Sequence, residues 1–494
     1  MLKGRIFLWI INSWELLFLG IFSFLTRFFN LSFPSKVVFD EAHFGLYATK
    51  YLSYQYYFDI HPPLGKMLLG LFGFLGNLKP GFYFDPNSLY GDFNFLVLRF
   101  LPAFFGSLLV LLIYFFVKEL GFSRRVAFLA SFLVLFGNAF IVQSRFILLD
   151  IILVFFIFLS LYLFVLSKRF LSFSRKWYLS NIFLALALGA VISIKWTGFG
   201  ALAIIWFLVI FEDRLFTKPK RELLTKLGLI FLTPFSVYFL VFSLHFYLLP
   251  SSCSENCGAM LDRYLQPEKY FFKDSSTALA YGNSPPPGNN LWSKFIMANQ
   301  MMLGTNLGYS STHYYQSDWW SWPFMVRPIQ YFKEPQNGTT SYIYFFGNPI
   351  VWWLGIAGII GYFYLIIKNF FNKFKLKISQ SFYSKSVLIL ILGYLFYFIP
   401  FVTIERSILI YHYLPALIFS IILFSIFFEG ILEMIFGPSS KDKFFFANKK
   451  ANLLFIGILA IVFLSFVYFS PLTYGFPLTD ESFQNRMWLE TWGL

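Results

Sequence analysis

Residues 94–116 read NFLVLRFLPAFFGSLLVLLIYFF. A helix over this range rises roughly 35 Å, more than the roughly 30 Å hydrocarbon core of a bilayer. The apolar residues run continuously instead of alternating, so the pattern is that of a transmembrane helix and not of a membrane β-strand. One charge interrupts it, Arg99, with Pro102 close by. A guanidinium at such a place costs several kcal/mol unless it is paired or hydrated, so the stretch settles the fold class and leaves one question, what Arg99 meets.

Outward from it the pattern repeats. Spans are expected near 7–29, 94–116, 126–142, 148–167, 179–194, 197–212, 227–248, 347–368, 386–403, 408–430 and 452–470. Of the 494 residues 58% are hydrophobic and 13% charged, with a mean hydropathy of +0.66, which excludes an ordinary soluble domain. The expected class is an all-α polytopic membrane protein of about eleven helices, forming one transmembrane domain over 1–494. The first apolar run reads as a span and not as a cleaved leader. No tandem repeat is visible.

The net charge of +15 does not call for nucleic acid, because the basic residues fall in alternate short loops. Lys118, Arg124 and Arg125 form one such group, Lys168, Arg169, Arg175 and Lys176 another, and Lys441, Lys443, Lys449 and Lys450 a third. With Lys3 and Arg5 they place the N-terminus in the cytoplasm. The two sizeable polar segments, 30–93 and 249–346, then share the outer face of the cell membrane. In the first, amphipathic helices near 41–53 and 64–77 are expected to lie on the membrane surface, separated by Asp59-Ile60-His61-Pro62-Pro63. The second carries Cys253 and Cys257, readable as a disulfide or as two thiols, and a formal glycosylation sequon at Asn337.

Ionisable residues at span ends crowd the same face: Asp40, Glu41, Arg99, Arg145, Asp150, Lys195, Glu405, Arg406 and His412. Each carboxylate has a structural reading, as partner of a cation between helices. As a set, the cations exceed the carboxylates Asp150 and Glu405 beside them, and an anionic ligand such as a lipid-linked phosphate would complete the balance. Asp40 and Glu41 then become the acid/base groups at the mouth of a site.

The motifs FDEAHFG (39–45), FDIHPPLGKML (58–68), LRFLPAFFGSL (98–108), SRFILLD (144–150) and SIKWTG (193–198) follow one another in this order. HYYQSDWWSWPFMVRPI (313–329), IYFFGNPIVWW (343–353) and ERSILIYHYLPA (405–416) continue the series. This ordered set resembles the protein O-mannosyltransferase family, in the form of its shorter members, whose loop at 249–346 has no room for the MIR domain of eukaryotic relatives. The resemblance implies a C-type glycosyltransferase (GT-C) fold, a polyprenyl- or dolichyl-phosphate mannose donor, and Ser/Thr-containing secreted or membrane proteins as acceptors, met outside the membrane or at the translocon.

In that scheme Asp40 is the general base and Glu41 orients the acceptor or Asp40; a carboxylate at a helix N-terminus is the plainer reading of Glu41. Arg99 is the first choice for the leaving phosphate, with Lys195 and Arg406 next and Arg145 in the same donor-binding group. His61 contacts phosphate or sugar, or serves the bend at Pro62-Pro63. His412 is a ligand group or a helix-packing histidine. Trp319, Trp320 and Trp322 line an acceptor groove or form an interfacial aromatic belt. No cofactor or metal is required. The rival readings are transfer of a lipid-linked sugar to a glycolipid, and secondary transport; a transporter is expected to show repeats and midplane polar groups instead.

Overall fold

The computed structural model describes residues 14–212, 218–252, 290–308, 313–371, 385–404 and 406–493. Cys253, Cys257, Glu405, Lys3 and Arg5 lie outside the described residues.

Each expected span has its helix. In chain order these are α1 (Trp14–Phe28), the helices α2 (Glu41–Leu52) and α3 (Leu64–Leu75) of the polar segment 30–93, α4 (Leu96–Glu119), α5 (Arg124–Leu135), α6 (Asn138–Arg145), α7 (Asp150–Ser167) and α8 (Arg175–Ile194). Then come α9 (Phe199–Phe207), α10 (Lys220–Leu248), α11 (Leu291–Gly308), α12 (Pro349–Phe371), α13 (Lys385–Phe398), α14 (Leu414–Phe436) and α15 (Lys449–Tyr474). Among the described residues seven helices are long and apolar enough to cross a bilayer unaided, or eight with α5 and α6 taken as one span bent by 57°. α4, the helix quoted above, packs against α1, α5, α6 and α7 and so lies near the centre.

Three features depart from the expectation. The helix α2 is buried on nearly all sides instead of lying on a membrane surface. The span near 126–142 is broken at Gly137, where an added Cβ would stand 2.7 Å from Phe140. The polar segment before α12 also contains strands: β1 (Ile329–Gln336) and β2 (Thr339–Phe345) form an antiparallel hairpin joined by β3 (Pro477–Leu478). Asn337-Gly338 is its two-residue turn, with Gly338 at φ +75°. Asn-Gly between β-branched and aromatic residues is a strong local hairpin signal.

Candidate active site

The polar segment 30–93 is shaped by a buried ion pair. Arg99, fully buried in α4, donates through Nε to Glu41 Oε1 (2.9 Å) and through Nη2 to Oε2 (3.0 Å). Its remaining donors reach the carbonyls of Leu31 (3.0 Å) and Pro34 (2.9 Å). Glu41 in turn accepts from the backbone N–H of Val38 (2.9 Å) and Ile147 (3.0 Å) and from Tyr90 Oη (2.6 Å). Both groups are saturated, and neither lines the cavity described next. The assignment of Arg99 to a phosphate, and of Glu41 to substrate, is therefore corrected: the pair ties the loop after α1 to α2 and α4.

Arg145 is corrected in the same way. At the C-terminal end of α6 it donates to the carbonyls of Phe29 and Asn30, just past α1, and its guanidinium lies 4.8 Å from the Tyr474 ring centre. Arg27 makes the complementary contact, donating to Val134 and Leu135 carbonyls (3.1 and 3.0 Å) at the break between α5 and α6. Helix ends leave carbonyls without partners, and in an apolar setting these need donors. The intramembrane arginines supply them.

A cavity of about 170 Å³ opens beside α2. Five of the expected residues line it: Asp40, His61, Lys195, Arg406 and His412. They come from the loop before α2, the Pro-Pro turn before α3, the end of α8 and the segment before α14. Asp40 occupies the N-cap position of α2, yet its backbone is helical (φ −69°, ψ −4°) and its carboxylate makes no capping bond. An aspartate there ordinarily accepts a backbone N–H from the first turn. Glu41 holds the loop instead, which leaves the Asp40 carboxylate free on the cavity wall.

That wall is basic and aromatic. Lys195 donates to Asp150 (2.8 Å) and lies 5.7 Å from the Phe44 ring and 5.6 Å from Tyr411. Burial raises the Asp40 carboxyl above the ordinary carboxylate range, an effect that His43 and Lys195 partly offset. Burial, then the nearby Lys195, Lys66 and Arg406, holds His61 well below the usual imidazole range.

Several lining residues escaped the sequence reading. His43 sits one turn along α2 from Asp40, and His313 arrives from the polar segment before β1. His313 Nδ1 accepts the backbone N–H of Tyr315 (3.1 Å), which puts the ring proton of the neutral form on Nε2. His412 is the opposite case: its Nδ1 lies 2.9 Å from the Leu409 carbonyl, so Nδ1 carries the proton and Nε2 is an acceptor. Asp59 also lines the cavity, neutralised by the buried Lys66, which in addition donates to the His61 carbonyl (2.5 Å). Without that cation a second carboxylate would repel an anionic ligand.

The tryptophans do not form a groove wall here. Trp319–Phe324 is a 3₁₀ turn, in which residues three apart share a face. Trp319 packs edge-on against Phe398 (5.0 Å) and Trp322 is fully buried, its indole N–H donating to Ser317 Oγ (2.9 Å). Trp322 stacks on His412 from behind (6.1 Å, 15°), and Trp320 points outward, 57% exposed. None of the three lines the cavity. Among the described residues no group of three or more His, Cys, Asp or Glu side chains is arranged to hold a metal ion.

Comparison with known proteins adds to this geometry. A family model described as dolichyl-phosphate-mannose-protein mannosyltransferase matches residues 17–250, and one described as the C-terminal four-TMM region of protein O-mannosyltransferase matches 291–492. Dolichyl-phosphate-mannose–protein mannosyltransferase 1 of Candida albicans is 23% identical, over 95% of this chain and 76% of its own length. Mannosyltransferase 3 of Saccharomyces cerevisiae is 36% identical over 47% of this chain, a match that spans 32% of the yeast protein. Among solved structures, the S. cerevisiae protein O-mannosyltransferase Pmt1-Pmt2 complex bound to the sugar donor superposes with a TM-score of 0.81 at 21% identity, covering 97% of this chain and 92% of that one. An Archaeoglobus fulgidus oligosaccharyltransferase shares the fold more distantly, with a TM-score of 0.53 at 13% identity over 94% of this chain and 56% of its own.

Proposed function

This chain belongs to the protein O-mannosyltransferase family, and from that premise we propose that its cavity transfers mannose from a polyprenyl- or dolichyl-phosphate donor to Ser or Thr hydroxyls of polypeptides. The observation that carries the reading is an aspartate placed at a helix start, unused as a cap, on the wall of a cavity that Lys195 and Arg406 also line.

A neutral hydroxyl is a weak nucleophile, so a carboxylate must take its proton as the glycosidic bond forms. Asp40 is that base. Attack from the side opposite the phosphate breaks the bond from the anomeric carbon to the phosphate oxygen and inverts the configuration, as a carboxylate-activated water does in inverting glycosidases. The departing phosphate carries its negative charge away and needs cations, not a proton; Lys195 and Arg406 meet it, with neutral His61 beside them. No metal enters this scheme. Alternate-loop lysines and arginines lie at the helix ends away from the cavity, which supports a cavity facing outside the cell membrane, where secreted chains emerge from the translocon.

Purified protein given polyprenyl-phosphate mannose and a Ser/Thr-rich peptide should yield mannosyl peptide, with the same yield after EDTA. Transfer to a glycolipid with none to peptide would overturn the acceptor class, and loss of activity on chelation would overturn the metal-free scheme.

The base must be ionised to act, and burial disfavours its ionised form. The rate therefore falls as pH drops through the Asp40 pKa, and that limb lies above the ordinary aspartate value of about 4. A kcat/KM profile between pH 4 and 8 should show its acid limb displaced upward. A limb at or below the ordinary value would contradict the buried base.

A further inference from the structure

Asp40 is preceded by a residue in an unusual conformation. Phe39 has φ +48°, Asp40 follows with φ −69° and ψ −4°, and the Glu41 N–H donates to the Val38 carbonyl at 2.9 Å. These mark a tight turn over Val38–Glu41 whose second residue has positive φ, a place glycine ordinarily fills because a Cβ is disfavoured there. Here a phenylalanine fills it, immediately before the proposed base. Such a conformation persists only where the surroundings over-determine it.

Glu41 holds one end of the turn through the Val38 N–H. The other constraint is a ring. Tyr331, from β1 in the second outer segment, lies face to face with Phe39 at 4.2 Å and 11°. Tyr331 is itself buried and braced edge-on by Phe146 at 6.0 Å. Its hydroxyl has no hydrogen-bond partner among the described residues, so what it presents to Phe39 is the ring.

We propose that Tyr331 is a positioning residue for Asp40: by stacking on Phe39 it holds the left-handed turn residue that aims the carboxylate into the cavity. The inference rests on Asp40 being the base. It also makes the hairpin of one outer segment a support for the acidic loop of the other.

The test is a double-mutant cycle read in steady-state transfer. Tyr331→Ala should lower kcat at least about tenfold with the donor KM within about twofold, since misplacing a reacting group by about 1 Å can cost about a hundredfold. Tyr331→Phe keeps the ring and should retain most of the rate. Phe39→Gly accepts positive φ without support, so it should stay within about threefold of the parent. Adding Tyr331→Ala to Phe39→Gly should then cost little more, because the two residues act through one contact. Thermal midpoints in detergent separate misfolding from misplacement. A full-rate Tyr331→Ala enzyme, or an undiminished tenfold loss in the Phe39→Gly background, would overturn the proposal. A fully active Asp40→Asn control would instead remove the base on which it rests.

Discussion

Replacing Asp40 by Asn should lower mannosyl transfer by about a thousandfold and leave the fold intact. The size follows from the work assigned to the group, since a positioned general base contributes about 10² to 10⁴ in rate. The retained fold follows from the geometry. The carboxylate makes no capping bond to α2, and the turn before that helix is held by Glu41 through the Val38 N–H (2.9 Å). Burial penalises the charged form of Asp40, so a neutral amide of the same shape relieves a cost at that position. The variant should thus extract from membranes with an unchanged thermal midpoint while its peptide product falls near background. Wild-type rates would remove Asp40 from the chemistry. A collapse in folded yield would show that the carboxylate has a structural duty as well.

The second large effect is expected at Arg99, and it is a loss of folding. Arg99→Ala leaves the Glu41 carboxylate buried without a cation and strips the Leu31 and Pro34 carbonyls of their donor. Removing one partner of a buried ion pair costs about 3–5 kcal/mol. Little folded protein should reach the membrane, and what does should melt earlier. Pairing the change with Glu41→Gln should recover part of the loss, because the uncompensated charge is then gone. A stably folded Arg99→Ala enzyme with only a raised donor KM would return Arg99 to the phosphate.

The two sites show how unevenly the molecule was legible. An aspartate just past an apolar span is conspicuous, as Asp40 is, and a helix over 41–52 is legible from the same stretch. Arg99 was found for the same reason and given the wrong partner: its countercharge, Glu41, is 58 residues away, and nothing along the chain marks that distance. The hairpin has its local signal in Asn337-Gly338, which the same residues also present as a glycosylation sequon. His313 opens one of the quoted motifs, but a single histidine among aromatic residues has no periodicity that would mark it for the cavity.

Hydropathy by itself determined that this chain is a bundle of membrane helices. Each residue's transfer cost between water and hydrocarbon is local and additive along a span, so it can be read one segment at a time. Only the tertiary structure decided which charges satisfy one another and which remain on a cavity wall. Pairing depends on ångström-scale distances between groups far apart in sequence, and α4 sets Arg99 against Glu41 while α8 sets Lys195 against Asp150. With Arg99 and Arg145 turned to Glu41 and to backbone carbonyls, Lys195 and Arg406 line the same cavity as Asp40.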